Sequence, residues 1–85
     1  MSIFTIDRAA IATGVPVADL RGPSQTRHIC WTRFAIMEAM RDRGMSTPAI
    51  GRLFDRDHTT VLNGLRKAEE LRGNPAFETI RGAIA

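Results

Sequence analysis

The 85 residues bound this chain to one domain over residues 1–85, with one modest core, because small domains bury a smaller share of their surface. The composition, 44% hydrophobic and 25% charged, contains no apolar run of the roughly 18 residues that a membrane span requires. With Cys30 as the sole cysteine and two histidines, the sequence excludes an internal disulfide, and we expect neither a metal nor a cofactor. The first residues lack the pattern of a signal peptide, which predicts a cytoplasmic protein.

The formal net charge is +3, and positive charge is concentrated between residues 21 and 43. An uneven basic surface is typical of a protein that binds phosphates. Arginines that are simply exposed to solvent produce the same pattern. Charge therefore leaves the kind of partner open.

A period of 3.6 recurs in the apolar residues while alternation of period two does not, which predicts an all-α, compact bundle of five to six helices. Thr5 can cap a first helix over about residues 6–13, which Gly14 and Pro16 end. The apolar residues predicted to face the core from this helix are Ile6, Ala9, Ala10 and Ile11.

The middle of the chain predicts one short and one long helix. A single helical turn over residues 17–20 is followed by a loop over residues 21–26 that contains Gly and Pro. From about Arg27 to Arg43 apolar residues recur at helical spacing, and Gly44 ends the pattern.

A helix-turn-helix is predicted over about residues 46–72. Ser46 can cap a helix over 47–54 that contains Gly51, and glycine weakens a helix by roughly 0.5 to 1 kcal/mol relative to alanine. We therefore expect another helix to cross close to that backbone. Asp57 can cap a second helix that runs to about residue 72. Its predicted buried stripe is Val61, Leu62, Leu65 and Ala68.

Residues 75–84 predict a last amphipathic helix, because Gly73 can end the preceding one and Asn74 can cap the next. Two roles are open for its apolar side chains, Phe77 and Ile80. They pack on the body of the domain, or they present a surface to a protein partner or a second copy of the chain.

The second helix of the pair opens with short polar side chains, from Asp57 to Thr60. Such side chains let a helix enter the major groove, about 12 Å wide, and contact base edges. The free amides of a helix N-terminus also attract phosphate. The same residues are equally ordinary as an N-cap and first turn, so this pattern alone does not choose between the two roles.

The string Phe54-Asp55-Arg56-Asp57-His58-Thr59-Thr60-Val61-Leu62, with Arg66-Lys67 and Glu69 behind it, resembles the C-terminal DNA-binding domain (domain IV) of the bacterial replication initiator DnaA. Further similarity lies in residues 17–20, Arg27, Arg33 and residues 46–51, so that the resemblance spans about residues 3–72. It implies a recognition helix that enters the major groove of a short asymmetric DNA box. It also implies a basic loop, ahead of the long helix, that reaches the neighbouring minor groove.

The resemblance implies a role for nine side chains. Those expected at base edges are Asp57, His58 and Thr59. Those expected at phosphates or in the minor groove are Thr60, Arg27, Arg33, Arg56, Arg66 and Lys67. Arginine and lysine neutralise backbone charge, and threonine can touch a thymine methyl. Plain exposure to solvent is the alternative for Arg33 and Lys67.

The chain departs from the family pattern in the basic loop. Pro23, Gln25, Thr26 and Trp31 stand where arginine or lysine is common. Fewer phosphate contacts predict weaker binding and a shallower salt dependence, since each neutralised phosphate contributes about 0.9 to the slope of log affinity against log salt. For Trp31 we favour a packing role over stacking on a base.

No motif for catalysis or nucleotide binding occurs in this sequence. The only lysine lies inside a predicted helix and outside any phosphate-binding Gly-rich loop, and neither Cys30 nor a serine has an obvious histidine partner. We therefore predict no enzyme and no bound nucleotide.

The function that we predict is sequence-specific binding of double-stranded DNA by a free-standing domain. The expected sites resemble DnaA boxes, and the expected role is control of replication initiation or of transcription. The alternative is an interaction module that keeps the fold without DNA binding and holds a protein partner through Met37 and Met40 or through residues 75–84.

Overall fold

The computed structural model describes residues 4–84, which fold into helices and turns without a strand between those two positions. The helices are α1 (Ile6–Thr13), α2 (Val17–Arg21), α3 (Arg27–Asp42), α4 (Thr47–Phe54), α5 (His58–Glu70) and α6 (Pro75–Ile84). The all-α prediction is confirmed, and its helix-turn-helix corresponds to α4 and α5. Within the described part of the chain, no helix is both long and apolar enough to cross a membrane.

Three side chains start helices as their sequence positions predict. Those of Thr5, Ser46 and Asp57 each accept a hydrogen bond from the backbone N–H three residues later, at 2.9–3.2 Å. Each satisfies a donor that the first turn of a helix leaves unpaired. Gly14 and Gly73 follow the C-terminal ends of α1 and α5 with φ values of +74° and +89°, where a side chain would be strained. Local chemistry therefore sets these boundaries.

Helix α3 lies at the centre and contacts each of the other five helices. The main core lies among the first five helices, around α3. Its fully buried large side chains are Leu20, Ile36, Met40, Ile50, Phe54 and Val61. Burial of each such side chain contributes about 1.5–3 kcal/mol, so packing around α3 fixes the positions of α4 and α5.

Two residues predicted to lie in the core are exposed. Ile11 is 83% exposed and Leu62 is 51% exposed. Successive helical residues are rotated by about 100°, so a residue next to a buried one points well away from it. The buried positions Ala10 and Val61 define the inward faces of α1 and α5, and Ile11 and Leu62 follow them directly.

The prediction that a helix crosses at Gly51 was wrong. A Cβ at this position would lie 2.5 Å from the carbonyl oxygen of Arg56, in the turn that precedes α5. Asp55 adopts a left-handed φ of +55° and folds the chain back, so that the Arg56 N–H donates to the Gly51 carbonyl at 2.8 Å. Glycine is required here by the turn. The glycine at a helix crossing is Gly64, where a Cβ would lie 2.8 Å from Met37 Sδ on α3.

Helix α6 packs on the body of the domain through a second apolar cluster. Phe77 is fully buried and Ile80 is 8% exposed, and both lie against Ala35 of α3 and Ala68 of α5. Trp31 meets Phe77 edge to face, with ring centroids 6.2 Å apart. The packing role of Trp31 is confirmed. The alternative in which Phe77 and Ile80 face another chain is corrected, because the domain itself covers both side chains.

Ion pairs complete the attachment of α6. The buried Glu38 carboxylate of α3 accepts from Arg72 at 3.1 Å and from Arg81 at 2.8 Å, and Arg81 also donates to Glu78 at 2.8 Å. These hydrogen bonds raise the pKa of Arg81 above its ordinary value. We call this arrangement the α6 junction; every guanidinium in it has a carboxylate partner.

Candidate nucleic-acid interface

Helices α4 and α5 are joined by a turn of three residues, Asp55–Asp57, which leaves the N-terminus of α5 exposed. The Asp57 carboxylate accepts from the Thr60 N–H at 2.9 Å and from the Thr60 hydroxyl at 3.1 Å. These bonds hold the pKa of Asp57 below its ordinary value. At neutral pH this position is thus a fixed anion that can accept further hydrogen bonds.

One strip of exposed side chains runs along α5. It begins with His58 and Thr59, continues one turn later with Leu62 and Asn63, and ends at Arg66. Arg66 donates a hydrogen bond to the Asn63 Oδ1 atom, which orients the Asn63 amide. A shallow concavity on this side is lined by Asp57, Thr59, Thr60, Leu62, Asn63 and Arg66. The buried side of the same helix carries Val61, Gly64 and Ala68.

The strip holds the chemical groups that distinguish bases in a major groove. Asparagine can pair with both polar atoms of an adenine edge, and threonine or leucine can contact a thymine methyl. The sequence interpretation missed two of these side chains, since Leu62 was assigned to the core and Asn63 was given no role. A spacing of four residues from His58 and Thr59 is the signal that could have found them.

Arg33 does not occupy the phosphate site expected for it. Its side chain is 4% exposed, and its guanidinium donates at 2.6–3.0 Å to backbone carbonyl oxygens. The accepting carbonyls are those of Asp19, Leu20, Gly22 and Ser24. Burial, and then the charge of Arg56, lower the pKa of Arg33 from its ordinary value. This expectation is corrected, because a guanidinium enclosed by carbonyls offers no donor to a phosphate.

Arg56 is also engaged by the backbone. It donates at 2.8 Å to Phe54, at 3.1 Å to Leu20 and at 2.7 Å to Gly22, in each case to the carbonyl oxygen. Three of its five N–H donors are thus occupied, and the residue is half-buried. These bonds give Arg56 a structural role, and its expected phosphate role stays a prediction.

The other basic residues expected at phosphates lie on the surface. The Arg27 guanidinium lies 5.6 Å from the centroid of the Trp31 ring at the start of α3. Lys67 forms a loose ion pair with Glu70 at 3.5 Å, with both side chains at least half exposed. With Arg66, these side chains are placed so that they could reach a polyanion, and their phosphate roles remain predictions.

No set of metal ligands is visible in the part of the chain that the structure covers: residues 4–84 bring no three His, Cys, Asp or Glu side chains together. The polar side chains of the α5 strip are exposed to solvent, and the buried side chains of Thr32, Arg33 and Glu38 all have hydrogen-bond partners.

A short helix, a turn of three residues and a second helix with an exposed polar first turn define a helix-turn-helix domain. The family described as bacterial dnaA protein helix-turn-helix matches residues 6–68. The chain belongs to this family, and membership implies DNA binding.

Two curated relatives carry the name chromosomal replication initiator protein DnaA. The protein of Picosynechococcus sp. is 45% identical over 65 residues, which is 74% of this chain and 14% of the relative. That of Thermomicrobium roseum is 47% identical over 58 residues, which is 66% of this chain and 12% of the relative. The chain thus spans only a small part of the length of these relatives.

Proposed function

We propose that this domain binds double-stranded DNA in a sequence-specific manner, with α5 lying in the major groove. The observation that carries the proposal is the exposed strip on α5, which packing does not require and which combines donors, acceptors and apolar groups. Asp57, His58 and Thr59 would contact base edges in the first turn, as a recognition helix does. Leu62 and Asn63 would extend these contacts by one turn.

Phosphate contacts would come from Thr60, Arg27, Arg66 and Lys67, which are exposed. Three of these four are cations. Each neutralised phosphate contributes about 0.9 to the salt slope, so a slope of about −2.7 is expected for this set. This value is small for a DNA-binding domain and agrees with the loss of basic residues from the loop over residues 22–26.

The proposed targets are sites like DnaA boxes, because the two curated relatives are named chromosomal replication initiator proteins. Occupancy of such sites would place the domain on the bacterial nucleoid. From there it would modulate replication initiation by competing for initiator sites, or transcription by covering a promoter. Both roles follow from the same DNA-binding surface.

The experiment is fluorescence anisotropy with a duplex that carries a DnaA-type box and with a scrambled duplex, over a series of salt concentrations. The variants are His58→Ala and Thr59→Ala, and the control is Thr79→Ala on the exposed side of α6. We expect each α5 variant to cost about 1–3 kcal/mol on the box and little on the scrambled duplex. The control should match the wild-type protein on both.

The outcomes separate three conclusions. Preference for the box that depends on His58 and Thr59 supports base recognition by α5. Equal, salt-sensitive binding to both duplexes would reduce the proposal to nonspecific binding. No binding at low salt would exclude the DNA function.

A further inference from the structure

Two arginines from distant parts of the chain hold the same two carbonyl groups. The Leu20 carbonyl accepts from Arg33 at 3.0 Å and from Arg56 at 3.1 Å. The Gly22 carbonyl accepts from both guanidinium groups at 2.7 Å. A carbonyl oxygen has two lone pairs, so this sharing uses the full accepting capacity of both groups. We call this arrangement the arginine clamp.

The arginine clamp joins two elements that the sequence separates by more than thirty residues. Gly22 opens the loop over residues 22–26, which leads into α3, and Arg56 directly precedes the N-cap of α5. A third arginine also links the two elements: the Arg21 Nε at the end of α2 donates to the Leu53 carbonyl of α4 at 2.7 Å. The loop is thus tied to the helix-turn-helix at several points.

The two guanidinium groups of the arginine clamp form no ion pair with a described carboxylate. Among the described residues, no carboxylate lies within salt-bridge distance of the Arg33 or Arg56 guanidinium. Two neighbouring cations repel each other, and the atoms that accept their hydrogen bonds are backbone carbonyl oxygens and, for Arg33, the Cys30 Sγ atom at 3.7 Å. The arginine clamp thus keeps two positive charges beside the loop and the start of α5, where they would attract a polyanion.

We propose that Arg56, together with Arg33, is a positioning residue that fixes the loop over residues 22–26 relative to α5. The loop and the recognition helix can then contact the same duplex at a fixed spacing. Arg56 acts through the loop and does not itself contact DNA. The proposal rests on the DNA-binding function proposed above and assigns a determinant of that function outside the contact surface.

Arg56→Lys is the variant that separates positioning from charge. Lysine keeps the positive charge but replaces the planar fork, whose donors reach three carbonyls, with a single ammonium group. A direct phosphate contact or a long-range charge effect would survive this change. The matched control is Arg41→Lys, on the exposed surface of α3. Arg41 lies about 20 Å along α3 from the end of the helix that follows the loop.

The first measurement needs no DNA. Backbone ¹⁵N relaxation of the two variants and the wild-type protein reports the order of the loop. In Arg56→Lys we expect order parameters at Ser24, Gln25 and Thr26 to fall from about 0.85 to below 0.6, while α3 and α5 keep theirs. Arg41→Lys should match the wild-type protein. Unchanged order in the loop of Arg56→Lys would overturn the proposal.

The second measurement distinguishes the two grooves of a bound duplex that carries a DnaA-type box. Methylation protection at guanine N7 reports α5 in the major groove, and hydroxyl-radical cleavage reports contacts along the sugars of the minor groove. We expect Arg56→Lys to keep the first protection, to lose the second beside the α5 site, and to bind about tenfold more weakly. Circular dichroism would verify that both variants are folded.

The remaining outcomes also decide the matter. If Arg56→Lys keeps both protections and its affinity, while Arg56→Gln lowers the salt slope by about one unit, then Arg56 binds a phosphate directly and the proposal fails. If the wild-type protein protects neither groove, the proposed DNA function fails. In that case the relaxation experiment still decides whether Arg56 holds the loop.

Discussion

The arginine clamp and the α6 junction use the same residue type in opposite ways. In the α6 junction, Arg72 and Arg81 form ion pairs with the buried Glu38 carboxylate, which offsets their positive charge. In the arginine clamp, two guanidinium groups lie on neutral carbonyls and their charge persists. Arginines that look alike in the sequence can therefore be neutralised within the fold or keep a positive charge that acts on their surroundings. The acceptor decides which.

The largest effect is expected in the apolar cluster beside the α6 junction, where α6 packs on the body of the domain. Phe77→Ala removes a fully buried ring that contacts Trp31, and large-to-small changes of this kind cost about 3–5 kcal/mol. Urea unfolding followed by circular dichroism measures the loss. At a temperature where the variant is folded, its DNA affinity should equal that of the wild-type protein. A parallel loss of affinity would show that α6 and the DNA surface are not independent.

A smaller effect is expected from Glu38→Gln, which leaves Arg72 and Arg81 without their shared carboxylate. The side chains of these arginines are 56% and 32% exposed, so solvent screens much of the loss, and we expect about 1–2 kcal/mol. Thermal unfolding measures it, with the exposed Glu69→Gln as the control. DNA affinity should stay within about twofold. For Arg56→Lys we expect the opposite: a small loss of stability and a clear loss of DNA affinity.

The smallest effect is a dependence of stability on pH, which arises at Asp57 beside the arginine clamp and at Glu78 in the α6 junction. Hydrogen bonds from backbone N–H groups lower the pKa of Asp57 below its ordinary 3.8 and that of Glu78 below its ordinary 4.5. A carboxyl whose pKa is lower in the folded state stabilises the fold above its unfolded-state pKa. That contribution is lost as the pH falls through the folded-state pKa.

Acidification below about pH 4 should therefore weaken the N-cap of α5 and the hydrogen bond from the Gly73 N–H to Glu78. The amide shifts of Thr60 and Gly73, whose N–H groups donate to these carboxylates, report the two titrations separately by NMR. Midpoints at or above the ordinary values would contradict the assigned hydrogen bonds. Asp57→Asn should remove the titration seen at Thr60 and leave that at Gly73.

Helix boundaries could be predicted from the sequence because the groups that set them are local. Thr5, Ser46 and Asp57 bond to amides only three residues away, so their spacing is visible in a linear pattern. The inward face of α5 was only partly predictable. Leu62 is apolar but follows the buried Val61 by one position, and hydropathy alone cannot show which side of a helix is covered.

The roles of Arg33 and Arg56 could not be predicted in the same way. The carbonyls that accept from them lie up to 36 residues away. Every residue has a backbone carbonyl, so the sequence does not show which ones act as acceptors. The resemblance implied phosphate contacts for both arginines, whereas the fold brings their guanidinium groups onto the segment over residues 19–24. The polar start of α5 was visible, but what holds the loop beside it was not.

The division of α5 into two sides has a consequence for protein engineering. Val61, Gly64 and Ala68 attach the helix to the core, while His58, Thr59, Leu62 and Asn63 are exposed. A library randomised at these four exposed positions would sample new surfaces on an unchanged scaffold. Selection of this library for binding to chosen duplexes would change the recognition surface of α5. The arginine clamp and α6 would stay unchanged.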